Sequence, residues 1–152
     1  MIRVQDQAFD VGAELSKLKA SRTDIGATAI FVGTVRDLSE GADVSTLTLE
    51  HYPGMTEKAL ADIEAEARAR WPISDALIVH RIGTMQPGDD IVLVITCAAH
   101  REVAFQACEF LMDWLKSKAP FWKLETGSAQ DRWVDSRVSD DVAARRWDLP
   151  KS

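Results

Sequence analysis

Between Lys116 and Lys123 the chain reads KSKAPFWK, which puts three lysines and no acid around a helix end, a proline turn and the start of a strand. Ammonium groups gathered beside aromatic side chains can receive a phosphate or a carboxylate, and lysine is the cation most readily tuned to act as acid or base. The same spacing has a purely structural reading. Lysines in the last turn of a helix interact favourably with its dipole, and Lys116 follows Asp113 at ion-pairing distance along a helix. Helical geometry also puts Lys118 nearer the apolar face than Lys116, so pattern alone does not select between them.

Other cations stand at places that suit anions. His100-Arg101 follows an apolar strand and opens a long helical segment, where unpaired backbone N–H groups and the helix dipole attract negative charge. An arginine there can grip a phosphate with two donors, or the pair can be ordinary surface residues at a helix start. Arg36, at the end of a strand containing Phe31 and Gly33, has the same two readings; the glycine lets another backbone approach. Arg132 and Arg137 flank Trp133 and can complete a basic cleft or form exposed ion pairs. His51 and His80 are single histidines in strand-like surroundings, where hydrogen-bonded structural roles are commoner than ligation or catalysis.

The patterns of several common chemistries are absent: no GxxxxGK[ST], no GxSxG, no HExxH and no paired-cysteine motif. These absences count against ATP hydrolysis, serine hydrolysis and metalloprotease chemistry. Cys97 and Cys108 each sit in an apolar run and read as small hydrophobes, with no disulfide, metal or cofactor expected. A net charge of -6 and a pI near 5.0 make nucleic acid a poor partner, so any anion site must be local. The longest apolar stretches are strand-length and the N-terminus lacks a secretory layout, which leads to the expectation of a cytoplasmic protein with no membrane span.

The elements that must position these groups are legible in the periodicity. The 152 residues, 46% of them hydrophobic, suit one domain over 1–152. Ile2 to Gln5 predicts a short edge strand, and Asp10 can cap a helix carrying Val11, Leu15 and Leu18 that ends near Ser21. Ala27 to Val35 and Val44 to His51 predict two strands joined by a polar loop. After Pro53-Gly54, a helix with Leu60, Ile63, Ala67 and Trp71 on one face stops before Pro72. Ala76 to Ile82 and Ile91 to Ala98 predict a β-hairpin. Arg101 to Lys118 predicts a helix buried on two sides, with Glu102, Gln106, Glu109, Asp113 and Lys116 in a narrow polar band. One side suits the sheet; the other suits a second layer or another subunit. Phe121 to Thr126 and Arg132 to Val134 can pair as strands, and the charge order from Ser139 to Arg146 fits a short helix. Strands alternating with helices around a hairpin indicate an α+β or mixed α/β fold.

These residues carry a family resemblance. FVGTVRD, LTLEHYPGMTEKAL, IVHRIG, PGDDIVLV, AHRE, FLMDWLKSKAPFWK and DRWVDSR occur in the order found in molybdopterin synthase large, catalytic subunits, the MoaE family. The chain resembles that family from about Ala27 to Trp147. The resemblance implies an α/β hammerhead with an additional antiparallel β-sheet. It also implies a homodimer within a heterotetramer, each outer end receiving a small ubiquitin-like sulfur-carrier subunit of the MoaD type. That partner's Gly-Gly tail bears a thiocarboxylate, and two sulfur transfers to cyclic pyranopterin monophosphate form the molybdopterin dithiolene. Activation of the tail by a separate enzyme agrees with the missing nucleotide motif.

Carried over by position, Lys116 and Lys123 are the expected catalytic lysines. Arg36 is expected in the same pocket, His100, Arg101 and Arg137 on the pterin phosphate, and Phe31 with Pro120 to Trp122 as walls. Thr34 stands where a close relative has lysine, and no proposed catalytic group is missing. The alternative is a non-catalytic small-anion-binding or scaffold protein of the same fold.

Overall fold

The computed structural model describes residues 1–39, 42–43, 46–126, 132–134 and 138–148. Its framework is a four-stranded mixed sheet formed by β1 (Ile2–Gln5), β6 (Ile73–Arg81), β8 (Asp90–Ala98) and β2 (Ala27–Thr34), in the order β1-β6-β8-β2. β1 runs parallel to β6 at one edge, while β6 and β2 lie on either side of β8 and each pairs with it antiparallel. The middles of the central strands, Ala76 to Val79 and Ile91 to Ile95, are continuously apolar because both faces are covered there. Leu77, Val79, Leu93, Ile95 and Cys97 face α1 (Val11–Lys19), where Phe9, Val11, Leu15 and Leu18 pack against them. The Asp10 carboxylate accepts from the Ala13 N–H at 2.8 Å and fixes the start of that helix.

The alternate side chains, including Ile78, Val92, Val94 and Ala98, meet α2 (Met55–Arg70) and α3 (Arg101–Lys118). Burial of α3 on more than one side is observed within one chain: it lies on β8 and β2, with α2 beside it on the same sheet face and α4 (Val138–Arg145) packed against it. The polar band of α3 is correspondingly no simple solvent face. Gln106 accepts from the Trp71 indole at 2.9 Å, and Glu109 and Asp113 hold Arg146. Phe110, fully buried, meets the rings of Trp71 and Trp147 edge-on at 5.3 and 5.6 Å, geometry that aromatic quadrupoles favour.

A second, antiparallel sheet has the order β10-β9-β5-β7, from β5 (Thr46–His51), β7 (Gly83–Met85), β9 (Phe121–Thr126) and β10 (Arg132–Val134). β3 (Leu38–Ser39) and β4 (Ala42–Asp43) form a small ribbon inside the predicted polar loop. The predicted pairing of β6 with β8 is present, but β7 lies between them in sequence and leaves for the second sheet. Gly83, at φ +87°, supplies the left-handed turn that redirects the chain. The mixed α+β architecture with an added antiparallel sheet therefore matches the expectation.

The expectation for Gly33 needs correction. A Cβ there would meet the Val92 side chain at 2.6 Å, and the Phe31 ring at 3.4 Å, so side chains rather than backbone fill the space. Close backbone approach occurs instead at Gly26, where a Cβ would stand 2.1 Å from the Ala99 carbonyl oxygen.

Candidate active site

α3 begins two residues after β8 and runs back along it, its first turn tied down by the Thr96 hydroxyl donating to the Ala104 carbonyl at 2.7 Å. Its C-terminal turn consequently reaches the sheet end that carries Val92 and His80, opposite each other across β6 and β8. Leu115 packs in the same core as Val92 and Ile78, and the next residue is Lys116, exposed. The helix closes with the Ala119 N–H on the Leu115 carbonyl, and Pro120 turns the chain into β9.

That turn is anchored from a distant part of the sequence. The Thr56 hydroxyl, wholly buried, donates to the Pro120 carbonyl at 3.0 Å and accepts from the Tyr52 N–H at 3.1 Å. One oxygen thereby joins the HYPGMT turn to the KAPFWK turn. Next to it, Glu57 accepts from the Gly54 N–H at 2.6 Å and lies 3.1 Å from His51 Nε2. Its own backbone N–H, together with that of Gly54 and with His51, holds the Glu57 carboxyl below its ordinary pKa, so it accepts and His51 Nε2–H donates.

β9 pairs with β5 so that Phe121 stands opposite His51 and Lys123 opposite Leu49. Two-residue periodicity puts Phe121 and Lys123 on the inner face with Leu47 and Leu49. Phe121 packs there against the main core and against the Val35, Leu47, Leu49 and Met85 cluster. Its ring stacks on His80, centroids 3.9 Å apart and planes within 19°. Lys123, half-buried, follows two residues later on the same face.

His80 is only 5% exposed and is the meeting point of this charge. Burial, then the nearby charges of Lys123, Lys116 and His51, push its pKa down to about 3, against the opposing pull of its bond to Arg81. Its Nδ1 lies 2.9 Å from the Arg81 carbonyl oxygen, which can only accept. The ring is therefore neutral, with the proton on Nδ1 and a lone pair on Nε2.

Lys116 and Lys123 thus flank the Ala119-Pro120 turn in sequence, and the charges of both act on the buried His80 ring. The ion pair between Lys116 and Asp113 is not formed, because Asp113 accepts from Arg146 Nη2 at 2.6 Å and from the Trp147 indole at 2.7 Å. Lys118 turns elsewhere, its ammonium 3.6 Å from the centre of the Trp114 ring. Arg36 is exposed just beyond β2, next to Val35, whose N–H donates to the Asp89 carbonyl. It therefore lies at the same end of the sheet as Lys116.

His100 and Arg101 do not join this group within one chain. His100 is the N-cap of α3 and Arg101 its first residue, and about 22 Å of helix separates Arg101 from Lys116. Both are exposed, as is Phe31, at 38%, which sits on the α3 side of β2 opposite Val94. Phe105 on α3 is exposed at 66%. Arg137 and the side chains of Arg132 and Trp122 lie outside the described residues. Thr56 is a member of the site that sequence reasoning missed, while the hydrogen-bonded structural role expected of His80 is borne out by its contact with the Arg81 carbonyl. The signal for the place of His80 in the site is its position as the polar side chain that follows the apolar run from Ala76 to Val79, on the inward parity of Ile78.

Comparison with known proteins adds independent information. The family described as "MoaE protein" matches residues 4–118. The chain is 56% identical over 148 residues to the "Molybdopterin synthase catalytic subunit" of Ralstonia nicotianae, covering 97% of this chain and 84% of that relative. Among solved structures, the molybdopterin biosynthesis MoaE protein from Burkholderia ambifaria superposes with a TM-score of 0.84 at 55% identity, covering 99% of both chains. The crystal structure of molybdopterin synthase from Staphylococcus aureus gives a TM-score of 0.79 at 31% identity, over 87% of this chain and 95% of that one. Among the described residues no helix is long and apolar enough to cross a membrane.

Proposed function

This chain belongs to the MoaE family, and from that premise we propose that it is the catalytic subunit of a molybdopterin synthase, with Lys116 and Lys123 as its reacting cations. In this reading a small ubiquitin-like carrier delivers sulfur as a C-terminal thiocarboxylate, and cyclic pyranopterin monophosphate accepts it. In each of two transfers the carrier's sulfur bonds to a pterin carbon, and water then cleaves the resulting acyl–sulfur bond, leaving a carboxylate on the carrier and a thiolate on the pterin; the two thiolates form the dithiolene.

The observation that carries the proposal is that Lys116 and Lys123 flank one anchored turn, held by Thr56 and by the stack of Phe121 on His80, and that the charges of both act on that ring. Donor and acceptor are both anions. At ~4 Å and an effective dielectric of ~20, two unit charges repel by ~4 kcal/mol, so a reaction between them needs fixed cations at the junction. Lys116, exposed and without an ion pair among the described residues, is assigned to the incoming tail and to proton transfer at the attacked pterin carbon. Lys123, carried on a rigid strand, is assigned to the developing oxyanions as sulfur adds and the cyclic phosphate opens. Arg36 at the same end adds a further cation.

His100 and Arg101 are assigned to the pterin phosphate of a neighbouring protomer's site. The length of α3 rules out their meeting Lys116 of their own chain, so this role requires the homodimer.

The test is reconstitution. Wild-type protein, thiocarboxylated carrier and cyclic pyranopterin monophosphate should yield molybdopterin with consumption of about two thiocarboxylates per product. Binding of both reagents without product would replace the enzyme with a non-catalytic anion-binding module.

A further inference from the structure

His80 is held as few histidines are. Its ring lies in the first sheet, 5% exposed, with Nδ1–H committed to the Arg81 carbonyl at 2.9 Å. One face carries the Phe121 ring of the second sheet at 3.9 Å, nearly parallel. Phe121 is the residue through which the Pro120 turn enters β9, and Lys123 shares its face two residues on. The ring is thus a flat spacer between the strand that ends at Arg81 and the strand that carries a reacting lysine.

We propose that His80 is a positioning residue for the Lys116 and Lys123 pair, seating Phe121 so that the two ammonium groups are held at a fixed separation. The assignment rests on the proposed function for its catalytic consequence, and on geometry alone for its structural one. Aliphatic side chains of similar volume offer no flat face, and a charged ring would add to the repulsion among Lys116, Lys123 and His51, the cationic or titratable groups that bear on it from α3, β9 and β5. The Arg81 carbonyl and the surrounding burial keep the imidazole in its uncharged tautomer.

The experiment compares His80→Phe, His80→Leu and Phe121→Leu with wild type, using thiocarboxylated carrier and cyclic pyranopterin monophosphate. His80→Phe keeps a flat ring and should retain kcat within about threefold. His80→Leu should lower kcat by about 10- to 100-fold while the KM for the carrier stays within about threefold, since a buried positioning residue acts on the reacting groups and not on encounter. Phe121→Leu removes the other half of the stack, and the double Leu variant should lose little more than either single one.

A readout independent of turnover accompanies these assays: graded acetylation of the folded proteins, mapped by mass spectrometry, with exposed Lys58 as the internal reference. Relative labelling of Lys123 should rise in His80→Leu and return to the wild-type ratio in His80→Phe. Unchanged labelling in His80→Leu, or additive kcat losses in the double variant, overturns the assignment. Should His80→Leu fail to fold, a His80→Phe variant as impaired as Phe121→Leu overturns it equally, and one with near-wild-type kcat supports it. If wild type itself makes no product, the functional reading fails while the labelling ratios still decide the positioning role.

Discussion

Asp113 is held by Arg146, whose Nη2 lies 2.6 Å from its Oδ2, and not by Lys116 one turn along the same helix. The Trp147 indole donates to the same oxygen at 2.7 Å, so this carboxylate fastens α4 and the segment after it to α3. Lys116 is thereby left available at the helix end. Asp113→Ala should lower stability by about 1 to 3 kcal/mol, the upper part discounted because Arg146 is nearly half exposed. Chemical denaturation gives the stability; molybdopterin yield per folded molecule should stay near wild type, and a folded variant with no activity would contradict the separation of the two roles.

The two lysines of the last helical turn make a paired test. Lys116→Ala should cut product formation by about 100-fold or more, with a melting curve close to wild type, because an exposed side chain is removed from the reacting centre. Lys118→Ala should do the reverse. It removes a cation from the face of Trp114 and costs about 0.5 to 1 kcal/mol, with turnover retained. Equal loss of activity in both variants would favour a diffuse electrostatic role over a specific one.

Thr56 is small, but its hydroxyl serves two backbone groups. Thr56→Val keeps the volume and leaves the Pro120 carbonyl and the Tyr52 N–H without their partner, at a cost of about 1 to 3 kcal/mol. Hydrogen exchange should quicken at Tyr52, and kcat should fall further than the KM for the carrier rises. A variant with wild-type exchange and turnover would show that the turn is held elsewhere.

Stability should depend on pH through His80. Its folded pKa is about 3 against an ordinary value of 6.5, so below 6.5 the unfolded chain takes up a proton that the folded one refuses. The contribution is complete above about pH 6.5 and is lost as pH falls toward 3, with a limiting slope of ~1.4 kcal/mol per pH unit and a total of roughly 4 to 5 kcal/mol. Carboxylates such as Asp24, held at about 2 mainly by its hydrogen bonds from Arg22, also lose stability in acid, but they do so in every variant. Urea midpoints for wild type and His80→Phe should therefore converge as pH falls from 6.5 to 4. Parallel curves would mean that the buried imidazole accepts a proton with ordinary affinity.

Much of this framework can be read from periodicity. The cap at Asp10, the stop at Trp71, the two-sided character of α3, the pairing of Phe121–Thr126 with Arg132–Val134 and the short helix before Trp147 all follow from local patterns, and all are present. The lysine cluster was legible as well, since it is contiguous. What local pattern cannot carry is the joining of one sheet to the other. The excursion of β7 is bracketed by two positive-φ glycines, Gly83 and Gly88, and the stack of His80 on Phe121 links residues about forty positions apart. The partner of Asp113 is beyond local pattern for the same reason: spacing offers Lys116 three positions away, and tertiary packing brings in Arg146 instead.

Phe121 and His80 belong to different sheets, so their rings can face one another only after both layers have formed and closed together. A refolding species that has built β6 and β8 but not yet docked the other sheet would lack the Phe121 ring over His80 and the burial that goes with it. Competence for chemistry should accordingly arrive with the last docking step rather than with helix formation. The imidazole resonances of His80 offer a clock for that event, separate from any assay of turnover.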